Sequence, residues 1–277
     1  MTGRLVLVST PIGNLGDLSP RAVSALQACA LICCEDTRHS GKLLSHAGVA
    51  GVRLAVANEH TEAARTEEVL GVLASGRDVA VVTDAGTPGI SDPGARLVQA
   101  AIAAGYAVTA VPGPAALIMA LVLSGFDTTR FVFEGFLPRS GRERAERLAE
   151  VAAERRTTVL YEAPHRVART VDDLAAACGG ERRVALAREL TKVYEEVWRG
   201  SLADAAAHLT AHEPRGEFVM VLEGAPAAAP ADDEAILAAL RMALQGGADR
   251  RTAIATVMSA TGAAKRRVYD LALTLPR

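Results

Sequence analysis

The stretch Val79–Gly94, VAVVTDAGTPGISDPG, decides the fold class. Its apolar run Val79–Val82 reads as a buried strand, and Ala95–Ala104 beyond it reads as a helix. Between them lies a turn crowded with Asp84, Gly86, Pro88, Gly89, Asp92, Pro93 and Gly94. In an open α/β sheet, ligands bind where the C-terminal ends of strands meet such loops. Glycine lets backbone approach a ligand, and proline limits the entropy lost when the loop is ordered. Asp84 stands at the strand end, placed to accept hydrogen bonds from the polar edge of a ligand. A plainer reading is a helix-entry turn with Asp92 as N-cap and Pro93 at the first helical position. That accounts for the last four residues and leaves the long segment Asp84–Pro93 unexplained, so a ligand site is expected there.

Upstream, Arg4–Ser9 is an apolar strand leading into a second turn-rich loop, Thr10–Leu18 (TPIGNLGDL). Ser19 reads as the cap of the next helix, with Pro20 at its first position. Ala22–Cys29 keeps an apolar face, and Leu31–Cys34 is the next strand. Strand, loop and helix in this order predict a parallel βαβ unit. The loop carries neither GxGxxG nor GK[ST], which excludes a dinucleotide fingerprint and a P-loop. Glu35–Lys42, EDTRHSGK, puts Glu35, Asp36, Arg38 and His39 at the end of the second strand. These are either a solvated helix start with acids near the positive dipole end, or active-site groups gathered at a strand terminus. Leu54–Ala57 is a further strand followed by Asn58-Glu59-His60, and Thr66–Leu73 is helical. Val108–Val111 ends at Pro112-Gly113-Pro114, which is a rigid corner for a flat ligand or a plain turn. The small apolar helix Ala115–Ser124 follows.

Downstream, a boundary is expected near Gly125–Arg130. Phe131–Gly135, Thr157–Tyr161, Val184–Ala187 and Glu217–Glu223 read as strands. Leu137–Arg156 is mostly a solvated helix face, but its start, Pro138–Arg144, reads as an exposed basic loop bearing Arg139, Arg142 and Arg144. His208 and His212 are four apart on a helix without a third ligand, so they read as surface histidines and no metal is expected. Ala225–Ala231, APAAAPA, is a linker. Glu234–Leu244, Arg250–Ser259 and Lys265–Leu273 read as helices, with helix-turn-helix spacing and a basic start at Lys265, Arg266 and Arg267. The expected division is 1–124, 125–224 and 232–277.

Half of the 277 residues are hydrophobic, enough for two domains with a large core. The net charge of −2 excludes a globally basic surface, so any nucleic-acid contact must use local patches. Four cysteines without paired CxxC spacing read as core residues in a reducing cytosol. Apolar runs are too short or too interrupted to span a bilayer, and the chain enters a strand without a signal-peptide layout. A soluble cytoplasmic protein is expected.

Taken together, STPIGNLGDLSPRA (9–22), CEDTRHS (34–40), VTDAGTPGISDPG (82–94), VPGPAA (111–116), YEAPHRV (161–167) and ELTKVYEEVWRG (189–200) resemble one family. It is the ribosomal RNA small subunit methyltransferase I group, within the tetrapyrrole methylase fold, and the likeness spans essentially the whole chain. The resemblance implies an α/β fold, two tetrapyrrole-methylase-like α/β domains with an S-adenosylmethionine cleft between them, to which the helical reading of the C-terminal segment adds a small helical domain. It also implies a homodimer, and 2′-O-methylation of a cytidine in the decoding region of 16S rRNA within the small ribosomal subunit. It places Pro11, Leu15, Asp84, Gly86, Thr87, Ile90, Ala115, Ala116, Tyr161 and Ala187 at the cofactor. Two departures stand out. The superfamily's central loop is usually built around Gly-Asp-Pro, where this chain has Asp84-Ala85-Gly86. Ala115 and Ala116 stand where related enzymes often carry Ser or Thr, so backbone contacts must serve there.

A ribose hydroxyl is a weak nucleophile and the sulfonium's leaving group departs neutral, so alignment and a general base are the chemical needs. Asp36, Glu59 and His60, at strand ends, are the candidate bases, each with an alternative as an ion-pair or cap residue. Lys192 joins Arg38, His165 and Arg166 as a group to hold phosphates or polarise the hydroxyl. Arg38, Arg139, Arg142, Arg144, His165 and Arg166 are the expected RNA contacts. Two other readings stay open at this point. One is a tetrapyrrole carbon methyltransferase, which needs a broad apolar cleft for a macrocycle. The other is a non-enzymatic nucleic-acid-binding regulator that uses the terminal helices.

Overall fold

A computed structural model describes residues 2–58, 61–226 and 231–275. The chain divides into two compact units, Met1–Ala225 and Pro226–Arg277.

In the first unit, β1 (Arg4–Val8), β2 (Leu31–Cys34), β3 (Arg53–Val56), β4 (Val79–Val81) and β5 (Ala107–Val111) form a parallel sheet in the order β3-β2-β4-β1-β5. Its central strands are covered on both faces, which is why they read as unbroken apolar runs. Val6, Val8, Ile32, Cys34 and Ala80 pack towards α1 (Pro20–Ala28) and α2 (Thr37–His46). The alternate residues Leu5, Leu31, Cys33, Val79 and Val81 pack towards α3 (Glu62–Ala74) and α4 (Ala95–Ala103). Consecutive Cys33 and Cys34 therefore serve opposite layers. Burial pushes the Cys33 thiol up to about 12 and the Cys29 thiol up to about 11.

Helix α1 starts as the sequence predicts, with the Ser19 hydroxyl accepting from the Ala22 N–H at 3.1 Å and Pro20 in the first turn. Helix α4 does not. Asp92 is not its cap and Pro93 is not its first residue, because Gly94, at φ 130°, immediately precedes Ala95 and offers no side chain. The cap arrives from α3. Buried Glu62 accepts, through Oε1, from the N–H groups of Gly94, Arg96 and Leu97 at 3.0, 3.0 and 3.1 Å. A carboxylate there satisfies the orphan donors and the positive end of the helix dipole.

A second sheet in the same unit runs β6-β7-β10-β8-β9, from β6 (Phe131–Phe136), β7 (Thr157–Glu162), β8 (Arg183–Arg188), β9 (Glu196–Ser201) and β10 (Phe218–Leu222). Only β6 and β7 pair in parallel; the other neighbours are antiparallel. Edge strand β9 has no counterpart in the sequence reading, because it is half-exposed and lacks an apolar run. One face of this sheet is covered by α5 (Ala116–Ser124), whose Leu117, Ala120 and Leu121 meet Val159, Ala185, Val219 and Val221. So the helix that follows the first sheet packs on the second. The other face, with Leu160, Leu186 and Met220, is covered by α6 (Gly141–Ala153), α7 (Pro164–Cys178) and α8 (Leu202–Ala211).

The second unit closes α9 (Asp233–Gln245), α10 (Arg250–Thr261) and α11 (Lys265–Thr274) on Ile236, Leu240, Ile254, Val257 and Val268. Asp232 and Asp249 cap α9 and α10, each accepting a backbone N–H at 2.7 Å. Gly262, at φ 64°, turns the chain between α10 and α11, giving the expected helix-turn-helix spacing. Of the expected linker Ala225–Ala231, residues 227–230 lie outside the described residues. No described helix is long and apolar enough to cross a membrane.

Candidate active site

The carboxyl ends of β1, β4 and β5 carry the three Gly/Pro loops, and the loops are stitched to one another. Thr10 and Gly86 exchange backbone hydrogen bonds at 2.8 and 3.2 Å. The Thr10 hydroxyl donates to the Thr83 carbonyl at 3.1 Å. The Thr87 hydroxyl donates to the Pro114 carbonyl at 3.1 Å, leaving Ser9 Oγ to donate to Thr87 Oγ1 at 3.1 Å. Gly113 is required by close approach, since a Cβ there would stand 2.9 Å from the Ser9 Cβ. Such cross-bracing fixes the loops before any ligand arrives.

Facing them, the second sheet presents Tyr161 from β7, Ala187 from β8 and Val219 from β10, enclosing a cavity of about 400 Å³. That volume lies within the roughly 300–1,000 Å³ usual for small-molecule sites. Of the residues expected at a cofactor, Asp84, Gly86, Thr87, Ile90, Ala115, Ala116, Tyr161 and Ala187 line it. Pro11 and Leu15 do not: Pro11 is buried without lining the cavity, and Leu15 is largely exposed in a short 3₁₀ turn. Ile12 is the residue of that loop on the wall. Phe133 and Phe136 meet the Tyr161 ring edge-on at 4.9 and 5.6 Å, fixing its plane.

The polar part of the wall is acidic. Glu35, Asp84, Asp92, Glu162 and Glu217 line it, and no described lysine, arginine or histidine does. Asp84 Oδ1 is buried with no hydrogen-bond donor among the described residues. An unpaired buried acceptor costs about 1–3 kcal/mol, so the site lacks a donor that a ligand can bring. Burial, then the charges of Asp92 and Asp84, raises the Glu35 carboxyl above its ordinary value. Asp92 is raised by burial and by Asp84 and Glu217, with a Thr83 hydrogen bond opposing. This wall suits a ligand that carries positive charge and N–H groups beside an apolar body.

Asp36, expected as a base, is instead the N-cap of α2. Its carboxylate accepts from the Arg38 N–H at 2.8 Å and from the Arg38 guanidinium at 2.7 Å. Those bonds, the guanidinium's first, hold it down at about 2, too weak a base for neutral pH, and it does not line the cavity. Glu35, beside it, does line the cavity and was missed. Neighbouring residues at a strand end point to opposite sides, and the sequence does not say which of the pair faces the loops. Glu59 and His60 lie outside the described residues.

Lys192 is also off the wall. Its ammonium donates to Glu189 Oε1 and Glu217 Oε2, each at 2.8 Å. Burial alone lowers it, and the two carboxylates more than reverse that, so it stays charged and paired. It acts as a clasp. A Cβ on Gly13 would collide with its side chain, and the Asn14 N–H donates to Thr191 Oγ1 at 3.1 Å, so the β1 loop rests on the β8–β9 turn.

Among the basic residues expected to be exposed, Arg144 is buried in the first turn of α6 rather than on a loop. Its guanidinium donates to Asp173, the Pro138 carbonyl and Thr170 at 2.8, 2.8 and 3.0 Å. Arg166 is likewise committed, to Glu162 at 3.2 Å and the Leu137 carbonyl at 2.6 Å. Each is held in part by acceptors distant in sequence, Arg144 by Asp173 and Thr170 and Arg166 by the Leu137 carbonyl. Arg38 and Arg142 are exposed in ion pairs with Asp36 and Glu146. Arg139 and His165 are exposed without an ion pair among the described residues. His208 is not a simple surface residue, since it stacks on Trp198 at 5.1 Å, and no described cluster of side chains could hold a metal ion.

Residues 4–206 match the Tetrapyrrole (Corrin/Porphyrin) Methylases. A Ribosomal RNA small subunit methyltransferase I from Synechocystis sp. is 46% identical over 275 residues, covering 99% of this chain and 98% of its own. A protein of that name from Xylella fastidiosa is 50% identical over 225 residues, 80% of this chain and 82% of its own. One from Escherichia coli O157:H7 is 41% identical over 276 residues, 98% and 95%. Among solved structures, the methyltransferase CobJ superposes with a TM-score of 0.61 at 20% identity, over 81% of this chain and 95% of its own. Uroporphyrin-III-C-methyltransferase from Thermus thermophilus gives 0.56 at 21% identity, over 79% and 94%. At such identities the structural likeness speaks for the fold.

Proposed function

This chain belongs to the tetrapyrrole methylase family and, within it, to the ribosomal RNA small subunit methyltransferases I, and from that premise we propose that it methylates the ribose 2′-oxygen of a cytidine in the decoding region of 16S rRNA. The observation that carries the reading is the buried, donorless Asp84 Oδ1 on a carboxylate-lined wall. S-adenosylmethionine brings an ammonium, a sulfonium and adenine N–H groups to match it, and when bound supplies an electrophilic methyl group. Asp84 would hold a donor of the cofactor, backbone at Gly86, Ala115 and Ala116 would meet it, and Ile12, Leu117 and Leu190 would keep water from it. The bracing of the loops does the aligning, which is the larger share of the rate in an in-line displacement.

RNA phosphates need cations that the cavity does not offer. We assign them to Arg38, Arg139, Arg142 and His165, which remain exposed. Exposed pairs such as Arg38 with Asp36 and Arg142 with Glu146 contribute little in water and yield readily to a phosphate. On α5, Ile118, Met119, Val122 and Leu123 stay 37–61% exposed, an apolar face that a second copy of the chain would cover. This supports a homodimer, working in the cytoplasm where small subunits are assembled.

Two experiments test the reading. Asp84→Ala is expected to weaken S-adenosylmethionine binding by about 1–2 kcal/mol in calorimetry while the thermal melt is unchanged. Unaltered affinity removes Asp84 from the site. In the second unit, Lys265, Arg266 and Tyr269 are exposed on α11, whereas Arg267 pairs with Asp233 at 2.7 Å. Deleting residues 232–277 is expected to spare cofactor affinity and to raise the apparent KM for 30S particles. Full-rate methylation by the truncated chain rules out a docking role for these helices.

A further inference from the structure

We infer that Glu35 is the general base: one of its carboxylate oxygens takes the proton of the target hydroxyl as that oxygen attacks the methyl group. The inference rests on the methyl-transfer reading above. In the step, a lone pair of the 2′-oxygen forms the new O–C bond. The C–S bond breaks with its electron pair kept by sulfur, which leaves as a neutral thioether, and the hydroxyl proton passes to Glu35.

Three observations converge on this residue. First, Glu35 lines the cavity at the carboxyl end of β2, beside the central loop. Second, its oxygens are not already engaged by a cation: no ion pair reaches it among the described residues. Its donors are the Thr83 hydroxyl, at 3.5 Å, and the backbone of Asp84. That hydroxyl has one proton and Asp92 also draws on it, so it cannot hold both carboxylates at once. Third, the groups around it suit a proton acceptor at working pH. Burial, and then the charges of Asp92 and Asp84 facing it from the central loop, raise its carboxyl above the ordinary value, against the Thr83 and Asp84 hydrogen bonds. A base gains by this, because the best catalytic pKa lies near the operating pH. On its other side Asp36 and Arg38 neutralise one another. Asp84 serves less well, being the residue with the unmet demand for a ligand donor.

The test uses the full-length chain, S-adenosylmethionine and isolated 30S particles. The wild-type single-turnover rate is expected to fall at acid pH, with a midpoint above the roughly 4.3 of an ordinary glutamate. Glu35→Gln is expected to cut the rate by about 10²–10⁴-fold and to abolish that acid limb. Calorimetric affinity for S-adenosylmethionine is expected to fall far less than the rate, since Glu35 is one carboxylate among several on the wall. Glu35→Asp keeps a carboxylate and is expected to retain the limb at a reduced rate, which a merely structural residue would not do. Four results overturn the assignment. They are a limb that persists in Glu35→Gln, a rate that survives in it, cofactor affinity that falls as far as the rate, or a limb removed by Asp92→Asn instead. If Glu35→Gln fails to fold, the wild-type and Glu35→Asp profiles decide, and a flat wild-type profile sinks the idea. A wild-type protein that binds the cofactor but leaves 30S particles unmethylated at every pH defeats the functional reading itself, a distinct outcome.

Discussion

Arg144→Ala is expected to destabilise the protein by about 3 kcal/mol, although arginine on a charged helix usually tolerates replacement. The side chain is only 5% exposed, and its loss strands acceptors on Asp173, Thr170 and the Pro138 carbonyl. Breaking a buried pair costs about 3–5 kcal/mol, and the lower end applies because Asp173 keeps contact with water. The damage should spread. Thr170 also donates to Glu162 at 2.7 Å, and Glu162 lines the cavity, so the Glu162–Arg166 turn loosens with it. Urea unfolding followed by the fluorescence of Trp198, the single tryptophan, reads this directly. Arg142→Ala, two residues away but exposed, should stay within about 0.5 kcal/mol of wild type. Equal midpoints for the two variants would take Arg144 out of the core. Replacing Arg139, Arg142 and Arg144 together would therefore report on folding rather than on the grip of RNA.

Glu62→Ala should have an effect of similar size. It removes the carboxylate oxygen that, among the described residues, accepts from the N–H groups of Gly94, Arg96 and Leu97 at the start of α4. Hydrogen bonds to a charged group contribute about 1.5–3 kcal/mol each, and water entering the gap recovers part, leaving a loss of about 3 kcal/mol. Glu62→Gln keeps an acceptor oxygen and gives up only the charge at the helix N-terminus, about 1 kcal/mol. Hydrogen exchange at the three amides is the measurement. In Glu62→Ala they should exchange far faster than in wild type, and in Glu62→Gln only slightly faster. Unchanged protection in both variants means that the cap is idle.

These residues mark where the sequence stops being legible. Local signals carried well. Apolar runs at Leu31–Cys34 and Val79–Val82 gave buried parallel strands, because a strand covered on both faces has no polar alternation to confuse the eye. Ser19-Pro20 gave a helix start, because the cap and its donor are three residues apart. The central loop gave the cavity, because residues 84–87 and 90–92 of that same local stretch form its wall. What failed was every judgement needing a partner from elsewhere in the chain. Asp92 looked like a cap until Glu62, thirty residues upstream, occupied the position. Arg144 looked free because Asp173 and Thr170 are more than twenty residues away. Glu35 and Asp36 stand together in the sequence as possible active-site groups, and which of the two faces the loops is set by tertiary packing at the strand end.

The position of α5 has a consequence for how the chain is made. A ribosome delivers β1–β5 first, a complete parallel sheet, and then α5 with Leu117, Ala120 and Leu121. The surface those side chains need is built from Val159, Ala185, Val219 and Val221, and the last two belong to β10. That strand sits between β7 and β8, so the second sheet has no closed centre until Leu222 has been synthesised. Throughout that interval α5 is an oily helix tethered to a finished domain with nowhere to dock. Non-local pairing of this kind is slow, and the waiting segment is open to aggregation. The nascent chain thus exposes its stickiest helix during the stretch of translation between Ser124 and Leu222, and it is there that a chaperone would have something to hold.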